Sequence, residues 1–252
     1  RDRLNKEEMN LNRFAIIAII ICSLLVSCAR RSRNVRYRNA SHPTEVSNTD
    51  SRGDFLPKVE AQKNRGSKLD GPNIFRKYDT AVFMVFTTNG EEEYQGSGFF
   101  INDHGLAVSN YHVFKDTYAG YEQIKLEGSD KVYKVKRIIA KSEEHDFILF
   151  EVNCDGNNYI NIAGQRPRIG EKVYAIGSPR GLENTFSSGE ISQWRSEYVM
   201  QTNVLIDHGS SGGPLINEYG LVVGITSGTF ADGSQANLNY AWSIDVIKDY
   251  IK

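Results

Sequence analysis

The chain has 252 residues, 40% of them hydrophobic, with 30 Lys and Arg against 31 Asp and Glu and a formal net charge of −1. That is enough for one domain with a packed core plus appendages, and so even a balance argues against nucleic acid as a partner. The three cysteines exclude a disulfide framework, because Cys22 and Cys28 fall in an N-terminal apolar run and leave Cys154 alone in the globular part.

In chain order, Phe14 to Val26 is an apolar run of 13 residues. A spanning helix needs about 20, so the run fits the core of a signal peptide, with Met9 and Arg13 ahead of it. It ends in Leu25-Val26-Ser27-Cys28, which looks like a bacterial lipobox. Residues 1–28 are then a signal peptide, and Cys28 is a lipid attachment site. Two lipid chains, at about 0.8 kcal/mol per buried CH₂, give a stable anchor. The rival is an uncleaved signal anchor, because Arg30, Arg31, Arg33, Arg36 and Arg38 follow at once and positive charge tends to stay cytoplasmic. The expected location is the bacterial cell envelope, membrane-anchored and facing the periplasm or the exterior.

Residues 29–71 are rich in Arg, Ser, Asn and Lys and poor in apolar residues, so they cannot bury a core. They read as a flexible linker of roughly 35 Å root-mean-square span, ahead of a domain over 72–252. From Thr80 short apolar stretches recur: 81–87, 95–101, 106–113, 122–126, 131–140 and 147–152, then 172–176, 185–193, 198–206, 214–217, 221–227 and 238–244. Turn signals such as Asn89-Gly90 and Asp232-Gly233 separate several of them. Six and six suit an all-β fold of two six-stranded antiparallel barrels, about 79–155 and 168–245, which leave no exposed edges. Ile244, Ile247 and Ile251 stand at helical spacing, which predicts a short C-terminal helix.

The segment with most chemistry is Asp207-His208-Gly209-Ser210-Ser211-Gly212-Gly213-Pro214-Leu215. Its glycines permit positive φ and close backbone approach, and they can turn N–H groups toward a developing oxyanion. Ser211 also satisfies G-x-S-x-G, but that elbow needs a histidine later in the chain. His42, His104, His112, His145 and His208 all precede Ser211, so the elbow lacks its base. The order His, Asp, Ser remains open. His112 lies within an apolar segment, Leu106 to Phe114, that reads as a buried strand ending at the imidazole, and Asp146 stands at the start of another, just before Phe147 to Val152. A serine hydroxyl is a weak nucleophile until a base takes its proton. His112 suits that task, with Asp146 fixing its tautomer. Each residue alone has a blander meaning: a strand-end histidine, a turn aspartate, a flexible Gly-Ser loop. His104, His145 and His208 read as surface or loop residues, and Cys154 as a plain thiol.

Several segments together carry a family resemblance. They are Gln95 to Ile101, Val108 to Val113, Asp146 to Val152, Gly170 to Leu182, Ser188 to Ser192, Gln201-Thr202 and Gly209 to Leu215. In this order they resemble the trypsin-like serine proteases of chymotrypsin fold, most closely the HtrA/Do (Deg-like) branch, over roughly Asn73 to Lys252. Two positions depart from the family pattern: His208 stands where a proline is usual, and Ser210 where Asn or Asp is usual.

The resemblance implies a serine endopeptidase with a catalytic triad of His112, Asp146 and Ser211. It implies an oxyanion hole at Gly209, Ser210 and Ser211, and substrate pairing along Gly224, Ile225, Thr226 and Ser227. Leu205 is implied as an apolar pocket floor, narrowed by Tyr240 or Ala241, with cleavage after small or medium apolar residues. The implied substrates are proteins or peptides, above all unfolded or damaged extracytoplasmic proteins. No cofactor and no metal are expected, oligomerisation is compatible with the family, and no run long enough for a PDZ domain follows the protease. The alternative from another class is a catalytically silent module that holds peptides by strand addition. An esterase is a weaker third reading.

Overall fold

The computed structural model describes residues 57–178, 184–207, 209–229 and 239–251. The expected signal segment, Cys28, most of the expected linker and His208 lie outside the described residues.

Twelve strands form two closed antiparallel barrels. The first holds β1 (Val82–Thr88), β2 (Glu93–Phe100), β3 (Leu106–Ser109), β4 (Gln123–Leu126), β5 (Val132–Ser142) and β6 (Phe147–Val152), in the order β1-β2-β3-β6-β5-β4. The second holds β7 (Lys172–Gly177), β8 (Thr185–Trp194), β9 (Val199–Thr202), β10 (Pro214–Asn217), β11 (Val222–Thr229) and β12 (Asn239–Ser243), in the order β10-β11-β12-β9-β8-β7. β1 closes on β4, and β10 on β7. The expected fold class and strand count are met.

The apolar runs follow from where the strands lie. Successive side chains of a strand point to opposite faces. Phe100, Ile148 and Phe150 fill the first barrel with Phe83 and Val85. Their neighbours Phe99, Phe147 and Leu149 join a cluster that also takes in Tyr174, Ile176, Ile216 and Ile225 of the second barrel. Strands buried on both faces need continuous apolar sequence, hence Phe147-Ile-Leu-Phe150. β5 instead has only half-buried and exposed positions, alternating from Val132 to Lys136 and irregular beyond.

Local differences from expectation have local causes. The stretch 106–113 leaves the sheet at Ser109, and Tyr111–Val113 makes a 3₁₀ turn after Asn110. The C-terminal helix is a 3₁₀ helix, Ile244–Tyr250. Residues three apart eclipse one another in that geometry, so Ile244 and Ile247 are buried together. The linker does not stay free as far as Gly71. Val59 N–H bonds the Ile251 carbonyl at 3.0 Å, Gln62 pairs with the 162–164 segment, and Leu69 N–H bonds the Glu218 carbonyl at 2.7 Å. Helix α1 (Gly71–Tyr78) follows, capped by Asp70, whose carboxylate accepts from Asn73 N–H at 3.0 Å. It buries Ile74 and Tyr78 in the cluster shared by both barrels. Val59 and Leu69 pack against the same cluster, so polar composition over 57–70 concealed two anchoring side chains. No helix among the described residues is long and apolar enough to cross a membrane.

Candidate active site

His112 lies in the 3₁₀ turn after β3, and Asp146 immediately before β6. β3 and β6 are hydrogen-bonded neighbours, with Ser109 opposite Ile148, so the two side chains meet at one end of the pair. His112 Nδ1 lies 2.9 Å from Asp146 Oδ2 and 3.1 Å from Oδ1. His112 backbone N–H donates to Oδ1 at 2.9 Å, and the Ser227 hydroxyl donates to Oδ2 at 2.8 Å. The Asp146 side chain is only 15% exposed, and the imidazole is 46% exposed. A carboxylate this enclosed needs its donors, and it has three. An ionised carboxylate only accepts, so Nδ1 carries the proton and Nε2 presents a lone pair on the other edge of the ring.

Asp146 has φ +44°, a left-handed conformation that Asp and Asn tolerate better than most residues. Asn110 holds it there, with its side-chain amide donating to the Asp146 carbonyl at 2.8 Å. Asn110 is fully buried, and its own side-chain oxygen has no partner among the described residues. Sequence reasoning passed over this residue. A polar side chain two positions before the histidine, inside an apolar segment, was the available signal.

Ser211 precedes Gly212 at the start of the approach to β10. Its carbonyl accepts from Ser97 N–H at 2.8 Å, which ties the serine loop to the first barrel. A Cβ on Gly228 would lie 3.5 Å from Ser211 Oγ. Gly228 follows Ser227, so one stretch of β11 neighbours both the serine hydroxyl and the aspartate carboxylate. The structure therefore brings His112 and Asp146 into direct contact and sets Ser211 beside the same strand end. No hydrogen bond joins Ser211 Oγ to the imidazole. Gly212, at φ +90°, has no room for a side chain: a Cβ would sit 2.2 Å from the Ser97 carbonyl oxygen and 2.4 Å from Ser109 Oγ.

Three expectations change. Ser210 N–H donates to the Asp207 carbonyl at 2.9 Å, so it is not available to an oxyanion; Gly209 and Ser211 are left of the expected set. Gly224, Ile225 and Thr226 do not offer an edge to a substrate. Gly224 and Ile225 are paired with β10 on one side and β12 on the other. Thr226 exchanges backbone bonds with Gly212 and Gly213. β10 ends there, and an irregularity between Thr226 and Gly228 follows, so among the described residues the edge of β11 facing away from β12 opens only at Ser227. Leu205 is 64% exposed and forms no enclosed pocket floor; its backbone carbonyl accepts from the Ser187 hydroxyl at 2.8 Å. Ala241 is buried in the second barrel's core, and Tyr240 lies beside it on β12.

The two other histidines among the described residues, His104 and His145, make contacts of a different kind. His104 lies in the exposed turn beside Asp103 and Asp155. His145 packs edge-on against Tyr198 at 5.2 Å and Trp242 at 5.7 Å between ring centres, so it bridges the two barrels instead of standing in solvent. Among the described residues no three His, Cys, Asp or Glu side chains gather closely enough to hold a metal.

Comparison with known proteins adds the following. Residues 96–225 match the family model of the trypsin-like peptidase domain. The chain is 35% identical over 189 residues to the probable periplasmic serine endoprotease DegP-like of Hahella chejuensis, covering 71% of this chain and 39% of that protein. It is 29% identical over 194 residues to Protease Do-like 5, chloroplastic, of Arabidopsis thaliana, covering 68% of this chain and 60% of that one. The chain thus spans between 39% and 60% of these relatives' length. Among solved structures, the serine endoprotease from Yersinia pestis superposes with a TM-score of 0.63 at 24% identity, over 73% of this chain and 66% of that one; this is a likeness of fold.

Proposed function

The chain belongs to the trypsin-like peptidase domain family, and on that premise we propose that it is a serine endopeptidase working through His112, Asp146 and Ser211. The observation that carries the reading is the enclosed Asp146 carboxylate, with both His112 nitrogen donors and the Ser227 hydroxyl converging on it. That arrangement commits Nδ1 as donor and leaves Nε2 basic.

In the proposed reaction Ser211 Oγ attacks the scissile carbonyl while its proton passes to His112 Nε2. Charge develops on the carbonyl oxygen, where the N–H groups of Gly209 and Ser211 receive it. The imidazolium, stabilised by Asp146, then gives its proton to the leaving amine as the C–N bond breaks. Water, deprotonated by the same nitrogen, attacks the acyl-serine ester and releases the acid and the free serine. The absence of a hydrogen bond between Ser211 Oγ and the imidazole is compatible with this sequence, because catalytic hydrogen bonds often tighten only when substrate binds. Substrate backbone pairs with β11 from Ser227 onward.

The substrates proposed are unfolded or damaged proteins outside the cytoplasm, supported by the periplasmic names of the DegP-like relatives. Anchoring at the cell envelope through Cys28 belongs to the same reading, supported by the lipobox-like Leu25-Val26-Ser27-Cys28. A Cys28→Ser chain that stays with the membrane fraction as the wild type does would overturn that anchor.

One observation favours the silent peptide-binding module: Ser211 Oγ is not hydrogen-bonded to His112. Casein digestion by the full chain and by Ser211→Ala separates the two readings. Cleavage that disappears in the variant, by about 10⁴-fold or more, supports the peptidase. A folded wild type that neither cleaves nor reacts with a peptidyl phosphonate at Ser211 supports the module.

A further inference from the structure

Ser97, fully buried in β2 of the first barrel, makes hydrogen bonds through all of its polar groups. Its N–H donates to the Ser211 carbonyl at 2.8 Å. Its hydroxyl donates to the Gly209 carbonyl at 2.7 Å and accepts from Ser178 N–H at 3.0 Å. Its carbonyl accepts from the Ser109 hydroxyl at 2.7 Å. A serine hydroxyl has a single proton. Because its oxygen already accepts from Ser178, that proton is directed at Gly209. Ser178 is itself held, its hydroxyl donating to Asn184 Oδ1 at 2.8 Å while the Asn184 amide donates to the Asp79 carbonyl at 2.7 Å.

The peptide between Gly209 and Ser210 is therefore gripped at both ends, its carbonyl by Ser97 and its N–H by the Asp207 carbonyl. Gly209 stands at φ +93°, in a region where glycine turns at little cost. Without a grip on the following peptide, nothing in the glycine's own conformational preference would hold its N–H in one direction.

We infer that Ser97 is a positioning residue for the oxyanion site: one side chain of the first barrel fixes the Gly209 peptide while its N–H fixes the Ser211 carbonyl, so that two donors of the second barrel aim at one point. The inference rests on the serine-peptidase reading above. It makes the setting of one barrel against the other a determinant of transition-state stabilisation, with no contact between Ser97 and substrate.

The test compares full-length wild type, Ser97→Ala and Ser109→Ala on a chromogenic peptide substrate and with a peptide boronic acid, whose tetrahedral adduct needs the oxyanion donors. Ser109→Ala deletes an equally buried hydroxyl bond in the same place but leaves the grip on Gly209. Ser97→Ala is expected to lower kcat about 10- to 100-fold, below the loss from deleting an oxyanion donor outright. KM should stay within about 3-fold, and boronate affinity should fall by the same factor as kcat, as an interaction made only in the transition state requires. Ser109→Ala should lower the melting temperature comparably and keep kcat within about 3-fold. A folded Ser97→Ala with wild-type kcat, or equal kcat losses in both variants, overturns the inference. Should Ser97→Ala not fold, Ser97→Cys carries the test, since a weak thiol donor must give an intermediate kcat. A wild type that cleaves nothing and binds no phosphonate removes the peptidase reading itself, a different result from an active wild type indifferent to Ser97.

Discussion

Ser227 and His112 share one oxygen: the Ser227 hydroxyl at 2.8 Å and His112 Nδ1 at 2.9 Å both meet Asp146 Oδ2. The second barrel thus supplies a donor to a carboxylate–imidazole pair built wholly on the first. Ser227→Ala should leave the pair in place with one donor fewer to an enclosed carboxylate. A hydrogen bond to a charged group is worth about 1.5–3 kcal/mol, and part of that is recovered by water at a 15% exposed side chain. The expected result is a kcat/KM lower by about 5- to 20-fold and a melting temperature lower by a few degrees. Unchanged kcat/KM would mean that Ser227 contributes nothing to Asp146.

Asp146→Asn isolates the role of the charge. Asparagine tolerates the +44° φ of this position and can keep the Asn110 bond, which goes to the backbone carbonyl. Its amide cannot accept from both His112 donors and Ser227 as a carboxylate does, and it favours the wrong imidazole tautomer. The expected outcome is a folded protein with kcat lower by about 10⁴-fold. A loss under about tenfold would count against His112 as the base.

Gly212→Ala tests the serine loop sterically. The new Cβ would meet the Ser97 carbonyl oxygen at 2.2 Å and Ser109 Oγ at 2.4 Å, at φ +90°. Backbone cannot yield there without breaking the link from Ser97 N–H to Ser211. Destabilisation of about 3 kcal/mol or more is expected, together with loss of phosphonate labelling. Thermal unfolding indistinguishable from wild type would show that the loop relaxes freely.

Cys154 is expected to be unreactive. Burial first, and Asp155 beside it, push its thiol up to about 11 from an ordinary 9.0. The thiolate is the reactive species, so alkylation by iodoacetamide at pH 8 should run about 100-fold slower in the folded chain than in the unfolded one. The peptide containing Cys154 reports this by mass spectrometry. The same shift sets a sign for stability: the unfolded thiol ionises from about pH 9 and the folded one only near 11, so this contribution is present below pH 9 and falls away as pH rises through that window. Equal alkylation rates folded and unfolded would contradict the burial.

The barrels were legible because each strand's apolar pattern is local, and because strands covered on both faces write continuous runs such as Phe147 to Phe150. The contact of His112 with Asp146 was legible as a pair of strand ends, since β3 and β6 need only be neighbours. What stayed hidden depends on which backbone edges are already taken. Nothing in Gly224-Ile225-Thr226 announces that β10 and β12 occupy both sides of it. Nothing in Ser210 announces that its N–H turns back to Asp207. Ser97 was visible only as the middle of a Gly-Ser-Gly run, because its partners Ser178 and Gly209 lie 81 and 112 residues away. Leu205 was placed at a pocket floor by resemblance alone, and neither resemblance nor residue type separates an enclosed leucine from an exposed one.

The segment before α1 gives the last prediction. Its Arg, Lys and Ser content reads as linker, yet Val59 and Leu69 pack on the cluster common to both barrels. Its backbone bonds to Ile251, Ile162 and Glu218, and Gly164 N–H bonds back to Gln62. The Val59 bond ties the segment to the C-terminal turn, so the two ends of the domain support each other. A protein starting at Pro72 would lose all of these, while one starting at Pro57 would keep them. Two partly buried apolar side chains are worth about 2 kcal/mol together, and for a domain of this size that is a melting temperature lower by about 4–8 °C. The same truncation uncovers the Ile251 carbonyl and the apolar surface beneath Val59, so fraying of the C-terminal 3₁₀ helix should accompany the shift, seen as faster amide exchange over 244–251. Equal melting temperatures for the two start points would return the segment to the linker that its composition suggests.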